Sequence, residues 1–201
     1  PYDDAFRIME GKCDDILLPF LNYFYGENYD DTAVVRRLRN EQFIEKEDGS
    51  HSKRITDSHF EVEWHGVTKT YHIECESKPY DRTILIRLFQ YATQIAVDDS
   101  ETDYVSLTAE YPNTGLLVLR SRGNPPKSAT FIIKTPGGQV EFSVPVMREA
   151  DFTVDKMFQN HLYLLLPFYL FNREKEFDEM EQDSDAIKGM LREYENILQR
   201  V

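Results

Sequence analysis

The chain contains 201 residues with a formal net charge of −13 at neutral pH, and 41% of its residues are hydrophobic. This charge excludes indiscriminate binding of nucleic acid through a bulk positive potential, although it leaves room for a local basic groove. The length and the hydrophobic content predict one globular core over residues 1–150, followed by a helical extension over residues 151–201.

Two further features of the composition limit where the protein acts. No apolar run approaches the length of a membrane span, so we expect no membrane partner. The two cysteines, Cys13 and Cys75, are too few for a disulfide framework, and we expect both to be buried, reduced thiols. The expected compartment is therefore the cytoplasm.

Hydrophobic residues recur at steps of three and four in some stretches and at steps of two in others, which indicates both helices and strands. In the first half of the chain we predict a helix over 3–25 that ends at Gly26, a strand over 33–45, a turn over 45–53 and a β-hairpin over 55–78. A helix over 82–98 and a strand over 115–120 follow. In the last part we predict a hairpin over 129–134 and 139–146, helical structure from 153, and an amphipathic helix over 183–201. The crossover through helix 82–98 predicts that strand 115–120 runs parallel to a neighbour. The nearly continuous apolar sequence of that strand predicts a central position in a sheet covered on both faces.

The helix over 82–98 and the C-terminal helix each have an apolar stripe, as the helix over 3–25 also does. In helix 82–98 the stripe consists of Ile84, Leu85, Leu88, Phe89, Ala92, Ile95 and Ala96. In the C-terminal helix the predicted stripe consists of Ile187, Leu191, Tyr194 and Leu198.

The hairpin over residues 55–78 has the strongest alternation in the chain. A two-residue turn at His65-Gly66 places Trp64 opposite Val67 and fixes the pairing of the two strands. One face is then apolar, with Lys69 as its polar exception. The opposite face carries Asp57, His59, Glu61, Glu63, His72, Glu74, Glu76 and Lys78.

Several acidic residues come together on this polar face. Asp57 lies opposite Glu74, with Cβ atoms about 5 Å apart; a four-residue turn would instead pair Asp57 with Glu76, and both registers keep the carboxylates on one face. Carboxylates so close repel one another unless a cation lies between them, and a divalent cation is the natural candidate. His59 also faces His72, so two imidazoles beside the carboxylates form an alternative site for Zn²⁺ or Mn²⁺.

Short motifs occur along most of the chain in a characteristic order: Asp3-Asp4-Ala5-Phe6-Arg7, Leu38-Arg39-Asn40-Glu41, Ile55-Thr56-Asp57, Tyr71-His72-Ile73-Glu74-Cys75-Glu76-Ser77, Ile86-Arg87-Leu88-Phe89-Gln90-Tyr91 with Gln94, and Pro167-Phe168-Tyr169. These motifs and the predicted order of the helices and strands resemble those of the PD-(D/E)xK nuclease superfamily. Within the superfamily, they are most similar to the Rpn-type, transposase-like branch. The resemblance implies a mixed α/β fold. Its restriction-endonuclease-like αβββαβ core would contain a mixed sheet flanked by helices, followed by the C-terminal hairpin and helices.

The resemblance also implies a function, that of a Mg²⁺-dependent DNA endonuclease that hydrolyses phosphodiester bonds, with Mn²⁺ as a substitute cation. Asp57, Glu74 and the backbone carbonyl of Cys75 would bind the metal, with Glu76 as an additional ligand. The metal would lower the pKa of a bound water molecule and stabilise charge on the phosphate. DNA is the expected partner, and a homodimer is an open alternative to a monomer.

One position departs from the superfamily pattern, because Glu76 stands where the motif has a lysine. A glutamate cannot supply the positive charge that polarises the attacking water, so Lys78 on the same face is an alternative catalytic cation. Because the neighbouring carboxylates repel Glu76, we expect Glu76→Lys to raise the thermal stability of the protein without metal. The departure also keeps open a catalytically inactive nuclease-like domain that binds DNA or protein.

The resemblance assigns roles to four more residues. Gln94 would orient water or phosphate in the catalytic site. Arg87, Tyr91 and Arg39 are assigned to binding of the DNA substrate, and Tyr91 lies about one helical turn from Gln94.

Overall fold

The computed structural model describes Phe6, Ile8, Met9, Gly11 and residues 13–38, 41–45, 51–55, 58–77, 80–119, 125–172 and 184–200. Its helices are α1 (Asp14–Tyr25), α2 (Arg82–Asp98), α3 (Val154–Gln159), α4 (Leu166–Asn172) and α5 (Ser184–Arg200), with 3₁₀ helices at Glu149–Asp151 and Tyr163–Leu165. Its strands are β1 (Val34–Arg37), β2 (Glu41–Glu45), β3 (His51–Ile55), β4 (Ser58–Trp64), β5 (Val67–Glu76), β6 (Glu101–Thr102), β7 (Leu107–Thr108), β8 (Asn113–Val118), β9 (Ser128–Thr135) and β10 (Gly138–Arg148).

A six-stranded mixed sheet in the order β1-β4-β5-β8-β10-β9 forms the centre of the fold. β4 pairs antiparallel with both β1 and β5, and β9 pairs antiparallel with β10. β8 lies between β5 and β10 and runs parallel to both, as the crossover through α2 predicts. The structure therefore confirms a mixed α/β fold in which helices flank a mixed sheet.

The side chains of β8 alternate between two apolar layers. Leu116 and Val118 share a cluster with Ile84 and Leu88 of α2, whereas Leu117 belongs to the cluster that contains α1. Successive residues of a strand point to opposite faces, so the sheet is covered on both sides. This is why β8 has a continuous apolar sequence.

The helix predicted over 3–25 is interrupted at Cys13: Phe6, Ile8, Met9 and Gly11 are helical, and α1 follows the break. Cys13 is not helical, with φ −130° and ψ 81°, and α1 starts at Asp14. The backbone nitrogen of Cys13 donates to the carbonyl oxygen of Met9 at 3.0 Å and closes the helical turn that precedes it. Cys13 is exposed, contrary to the prediction of a buried thiol, because it lies at this break; Cys75 is buried as predicted.

The C-terminal end of α1 lies close to β8. Gly26 ends the helix in the left-handed conformation at φ 71°, as predicted. The hydroxyl of Tyr25 donates to the carbonyl oxygen of Asn113 at 3.1 Å. A Cβ atom at Gly115 would lie 2.5 Å from the Tyr25 hydroxyl oxygen and 2.6 Å from the ring of Phe24, so this glycine permits the close contact of helix and sheet.

The residues predicted as one strand over 33–45 form two strands in two different sheets. β1 belongs to the main sheet, whereas β2 pairs with β3 in a separate two-stranded ribbon. Just after β1, the nitrogen of Leu38 donates a 2.8 Å hydrogen bond to the carbonyl oxygen of His59. β3 lies partly within the segment that we predicted as a turn, residues 45–53. The prediction was wrong there because the sequence of β3 contains a single strongly apolar residue and gives no strand signal.

The C-terminal part of the chain contributes to the same core as α1. Met157, Leu164, Leu165, Phe168 and Ile197 belong to the apolar cluster that includes this helix. Among the described helices, none combines the length and the apolar character that a membrane span requires.

The buried stripe of α5 agrees with the predicted one only in part: Tyr194 packs against the core as predicted, but other positions differ. Met190 and Ile197 are buried, whereas Leu191 and Leu198 are 52% and 75% exposed. Both pairs have helical spacing, so periodicity alone does not distinguish them. The helix faces the core through the side that carries Met190 and Ile197.

Candidate functional site

The polar face of the central hairpin lies against α2. Trp64 pairs with Val67 and Ser58 pairs with Ile73, which confirms the register predicted from a two-residue turn. Because side chains alternate along a strand, β5 directs every second residue near its end towards α2; these are His72, Glu74 and Glu76. Their exposed fractions are 0%, 3% and 5%. The part of the face formed by these three residues is therefore buried, and Glu74 and Glu76 form what we call the acidic pair.

Arg87 of α2 supplies the positive charge that two buried carboxylates require. Its Nη2 atom donates a hydrogen bond to Oε2 of Glu76 at 2.8 Å, and its Nε atom lies 3.5 Å from Oε2 of Glu74. Burial opposes the charged form, but the hydrogen bond with Glu76 and the charges of both glutamates raise the pKa of Arg87 overall. The guanidinium stays charged and joins the two carboxylates.

The two histidines on the strands of the hairpin, His59 and His72, have different partners. His59 and His72 lie directly opposite each other, as predicted. Nε2 of His72 is 3.3 Å from Oε1 of Glu74, and its ring meets that of Tyr91 edge-on at a centroid distance of 5.9 Å. Nε2 of His59 instead lies 4.0 Å from Oδ2 of Asp99. The described residues contain no group of three or more histidine, cysteine, aspartate and glutamate side chains that could hold a metal, so by themselves they complete neither the predicted Mg²⁺ site nor the alternative Zn²⁺ or Mn²⁺ site.

Some residues assigned from the sequence lie outside the described part of the chain, namely Asp57, Lys78 and Arg39. The acidic pair is therefore the part of the predicted ligand set whose side chains are described. Cys75 belongs to the apolar cluster on the opposite face of the sheet. The role of its backbone carbonyl in metal binding stays a prediction.

Gln94 and Tyr91 occupy different surroundings on α2. Tyr91 is 7% exposed and faces the sheet beside the acidic pair and Arg87. The amide nitrogen of Gln94 donates to Oδ1 of Asp98 at 2.8 Å, one turn further along the helix. The structure thus brings Tyr91 and Arg87 to the acidic pair and gives Gln94 a partner outside this group.

A second polar cluster, which the sequence interpretation missed, lies at the other end of β5. Nζ of Lys69 donates to both carboxylate oxygens of Glu27 at 2.8 Å. The hydroxyl of Tyr71 donates to Oε1 of Glu27 at 3.1 Å and shares a 2.5 Å hydrogen bond with Tyr29. Burial raises the pKa of Tyr71 well above its ordinary value. Lys69 is the signal that could have predicted the cluster, because a cation on a core-facing position needs an anion nearby.

Replacing Tyr71 with phenylalanine is expected to lower the free energy of unfolding by about 1–3 kcal/mol near neutral pH, because Glu27 and Tyr29 lose a buried hydrogen-bond partner. The folded-state pKa of Tyr71 is above the ordinary value of 10.0. Its contribution is therefore complete below about pH 10 and is lost as the pH rises further. The difference between wild type and variant should shrink by about 1.4 kcal/mol per pH unit above that value.

Urea unfolding of both proteins at about pH 8 and about pH 11 measures this change. A difference in unfolding free energy that stays the same at both values would contradict the prediction.

Comparison of the chain with protein-family models, curated proteins and solved structures finds no significant match. The assignment of a function therefore depends on the geometry of the acidic pair, on Arg87 and on the order of the elements.

Proposed function

We propose that the protein is a Mg²⁺-dependent DNA endonuclease of the PD-(D/E)xK type, which hydrolyses phosphodiester bonds in the cytoplasm. The acidic pair carries the proposal: Glu74 and Glu76 are buried side by side at the end of a central strand and converge on one cation. Burial of two carboxylates costs free energy of desolvation, which apolar side chains in the same places would avoid. Groups buried at such a cost are concentrated at functional sites.

The order of the described elements supports the same proposal. α1, β1, β4, β5, α2 and β8 occur in this order as a helix, three strands, a helix and a strand, with the β2–β3 ribbon inserted between the first two strands and the β6–β7 ribbon inserted between α2 and β8. β4 is antiparallel to β1 and β5, and β8 is parallel to β5. Apart from the two ribbons, this order supports the αβββαβ core that the resemblance implies, and the acidic pair lies at the carboxyl-terminal end of the third of these strands.

The donor set fits a hard divalent cation. Glu74 and Glu76 offer carboxylate oxygens, which Mg²⁺ prefers, and their position already attracts a cation in the form of Arg87. In the proposal, Asp57 and the backbone carbonyl of Cys75 complete the ligand set. A bound Mg²⁺ would supply a water molecule of lowered pKa and would stabilise charge at the phosphate.

The surrounding side chains would position the DNA. Arg87 and Arg39 carry charges that suit phosphate oxygens, and Tyr91 fixes one wall of the site through its contact with the His72 ring. Lys78 would take the place of the lysine that the motif lacks. Gln94 would orient water or phosphate after leaving its present partner.

A catalytically inactive nuclease-like domain that binds DNA or protein is the second candidate function. The ion pair between Glu76 and Arg87 at 2.8 Å favours it, because the pair neutralises the glutamate that stands in place of the catalytic lysine.

Incubation of the purified protein with supercoiled plasmid DNA and Mg²⁺ tests the proposal. We expect nicked and linear DNA in the presence of Mg²⁺ and none in the presence of EDTA. Asp57→Ala serves as the control for a contaminating nuclease, because it should not cleave. Binding of DNA without cleavage, in Mg²⁺ and in Mn²⁺ alike, would favour the inactive domain.

A further inference from the structure

We infer that Arg87 and a divalent cation compete for the acidic pair, so that binding of the cation displaces the Arg87 guanidinium and makes it available to a phosphate group. This inference rests on the proposed function, because both concern Glu74 and Glu76. It makes Arg87 a positioning residue with two partners: the acidic pair, and a phosphate when the cation is bound.

The guanidinium engages the carboxylate oxygens that a cation would need. Nη2 lies 2.8 Å from Oε2 of Glu76, and Nε lies 3.5 Å from Oε2 of Glu74. A divalent cation held by the same oxygens would lie next to the guanidinium. Two positive charges repel strongly in a buried region, where water and salt screen them poorly. The acidic pair therefore accommodates one of the two cations at a time.

Arg87 is held in a way that allows it to leave. Its contact with Glu76 is a hydrogen bond, but its Nε atom has no hydrogen-bond acceptor among the described residues. The Arg87 side chain is 36% exposed, against 4% and 7% for the side chains of Glu74 and Glu76. A rotation of the arginine towards solvent thus separates the ion pair while the two glutamates stay in the buried layer.

The displaced guanidinium has the shape and charge that a phosphate requires. Its planar fork can donate to two phosphate oxygens at once. While two carboxylates engage Arg87, the local net charge is negative and opposes a further anion. A cation bound at the acidic pair removes that obstacle. Binding of the cation and binding of phosphate by Arg87 are therefore coupled, and each strengthens the other.

Isothermal titration of the full chain with Mn²⁺ alone tests the competition. Arg87→Gln removes the charge but keeps a polar side chain, and we expect it to bind Mn²⁺ at least about tenfold more tightly than wild type. Arg87→Lys keeps one point charge without the fork, so its increase in affinity should be smaller. In thermal unfolding, saturating Mn²⁺ should raise the Tm of Arg87→Gln more than that of wild type.

Arg36→Gln is the matched control. It removes an arginine–glutamate pair of the same chemistry, in which Nη2 of Arg36 lies 2.6 Å from Oε2 of Glu63, and both side chains are exposed on the same sheet. An exposed pair of this kind contributes little to the buried site, so the Mn²⁺ affinity should equal that of wild type.

Tighter Mn²⁺ binding by Arg87→Gln, with Arg87→Lys between it and wild type, supports the competition. If wild type binds Mn²⁺ and a folded Arg87→Gln binds it equally or more weakly, the competition is overturned. The metal site of the proposed function then stands. If Arg87→Gln does not fold, an affinity of Arg87→Lys for Mn²⁺ that is no higher than that of wild type overturns the competition.

Absence of Mn²⁺ binding in all forms overturns both proposals, whereas tighter binding without DNA cleavage overturns the endonuclease alone.

Discussion

Glu74→Gln is expected to lower the rate of Mg²⁺-dependent DNA cleavage about a thousandfold or more, because it removes a charge that would hold the metal. The substitution keeps the size of the side chain, which is 4% exposed. The fold should be preserved, since Arg87 keeps its 2.8 Å contact with Glu76 and no buried charge is left alone. Initial rates of plasmid nicking measure the loss, and circular dichroism checks the fold.

Glu63→Gln is the control for this substitution. Glu63 lies in the same hairpin and is also paired with an arginine, but its side chain is 41% exposed. Its replacement should leave cleavage unchanged. Full cleavage by Glu74→Gln would show that Glu74 is not a metal ligand, and it would remove the main support for the endonuclease.

Local periodicity explains the parts of the fold that the sequence predicts well. The alternation over residues 55–78 fixes the register from Trp64 and Val67 outward, because a shift by one residue would expose every core-facing side chain. The predicted helix over 82–98 agrees with α2 at both ends. Asp81 defines its start by accepting a hydrogen bond from the backbone nitrogen of Thr83 at 2.7 Å.

The acidic pair is likewise predictable, because residues two apart in one strand share a face. The residues that surround the acidic pair are not predictable in this way. The contact with Arg87 joins β5 to α2 and depends on how the helix lies across the sheet, which periodicity does not specify. The sequence still contains a signal: Arg87 lies one turn after the buried residue Ile84 and one turn before the buried residue Tyr91, at the edge of the sheet-facing stripe of α2. An arginine at the edge of such a stripe is expected to meet a buried anion.

Sequence periodicity also fails to predict the structure where two local arrangements fit the pattern equally well. In α5 the pair Met190 and Ile197 and the pair Leu191 and Leu198 have the same spacing, and packing against the core decides which pair is buried. In the ribbon, β3 pairs with β2 although its sequence is mostly polar and lacks the alternation that identifies the central strands of the main sheet. Tertiary contacts determine both outcomes.

Arg87 also reverses the effect that the sequence predicts for Glu76→Lys. The prediction of higher stability assumed carboxylates that repel one another, whereas Glu76 in fact accepts a 2.8 Å hydrogen bond from a guanidinium. A lysine at this position would lose that bond and place a second cation beside Arg87. We expect the free energy of unfolding to fall by about 2–4 kcal/mol, somewhat less than for a fully buried unpaired charge, since Arg87 is 36% exposed and partly screened.

Two further variants separate repulsion from the loss of a hydrogen bond. Glu76→Gln loses the charge but adds no cation, so its cost should be about 1–2 kcal/mol. Exchanging the charges, with Glu76→Lys and Arg87→Glu in one chain, restores two negative charges and one positive charge around Glu74 and should recover much of the loss. Urea unfolding with EDTA present measures all four proteins. If Glu76→Lys is as stable as wild type, or if the exchange recovers nothing, Arg87 does not act as the counter-ion of the acidic pair.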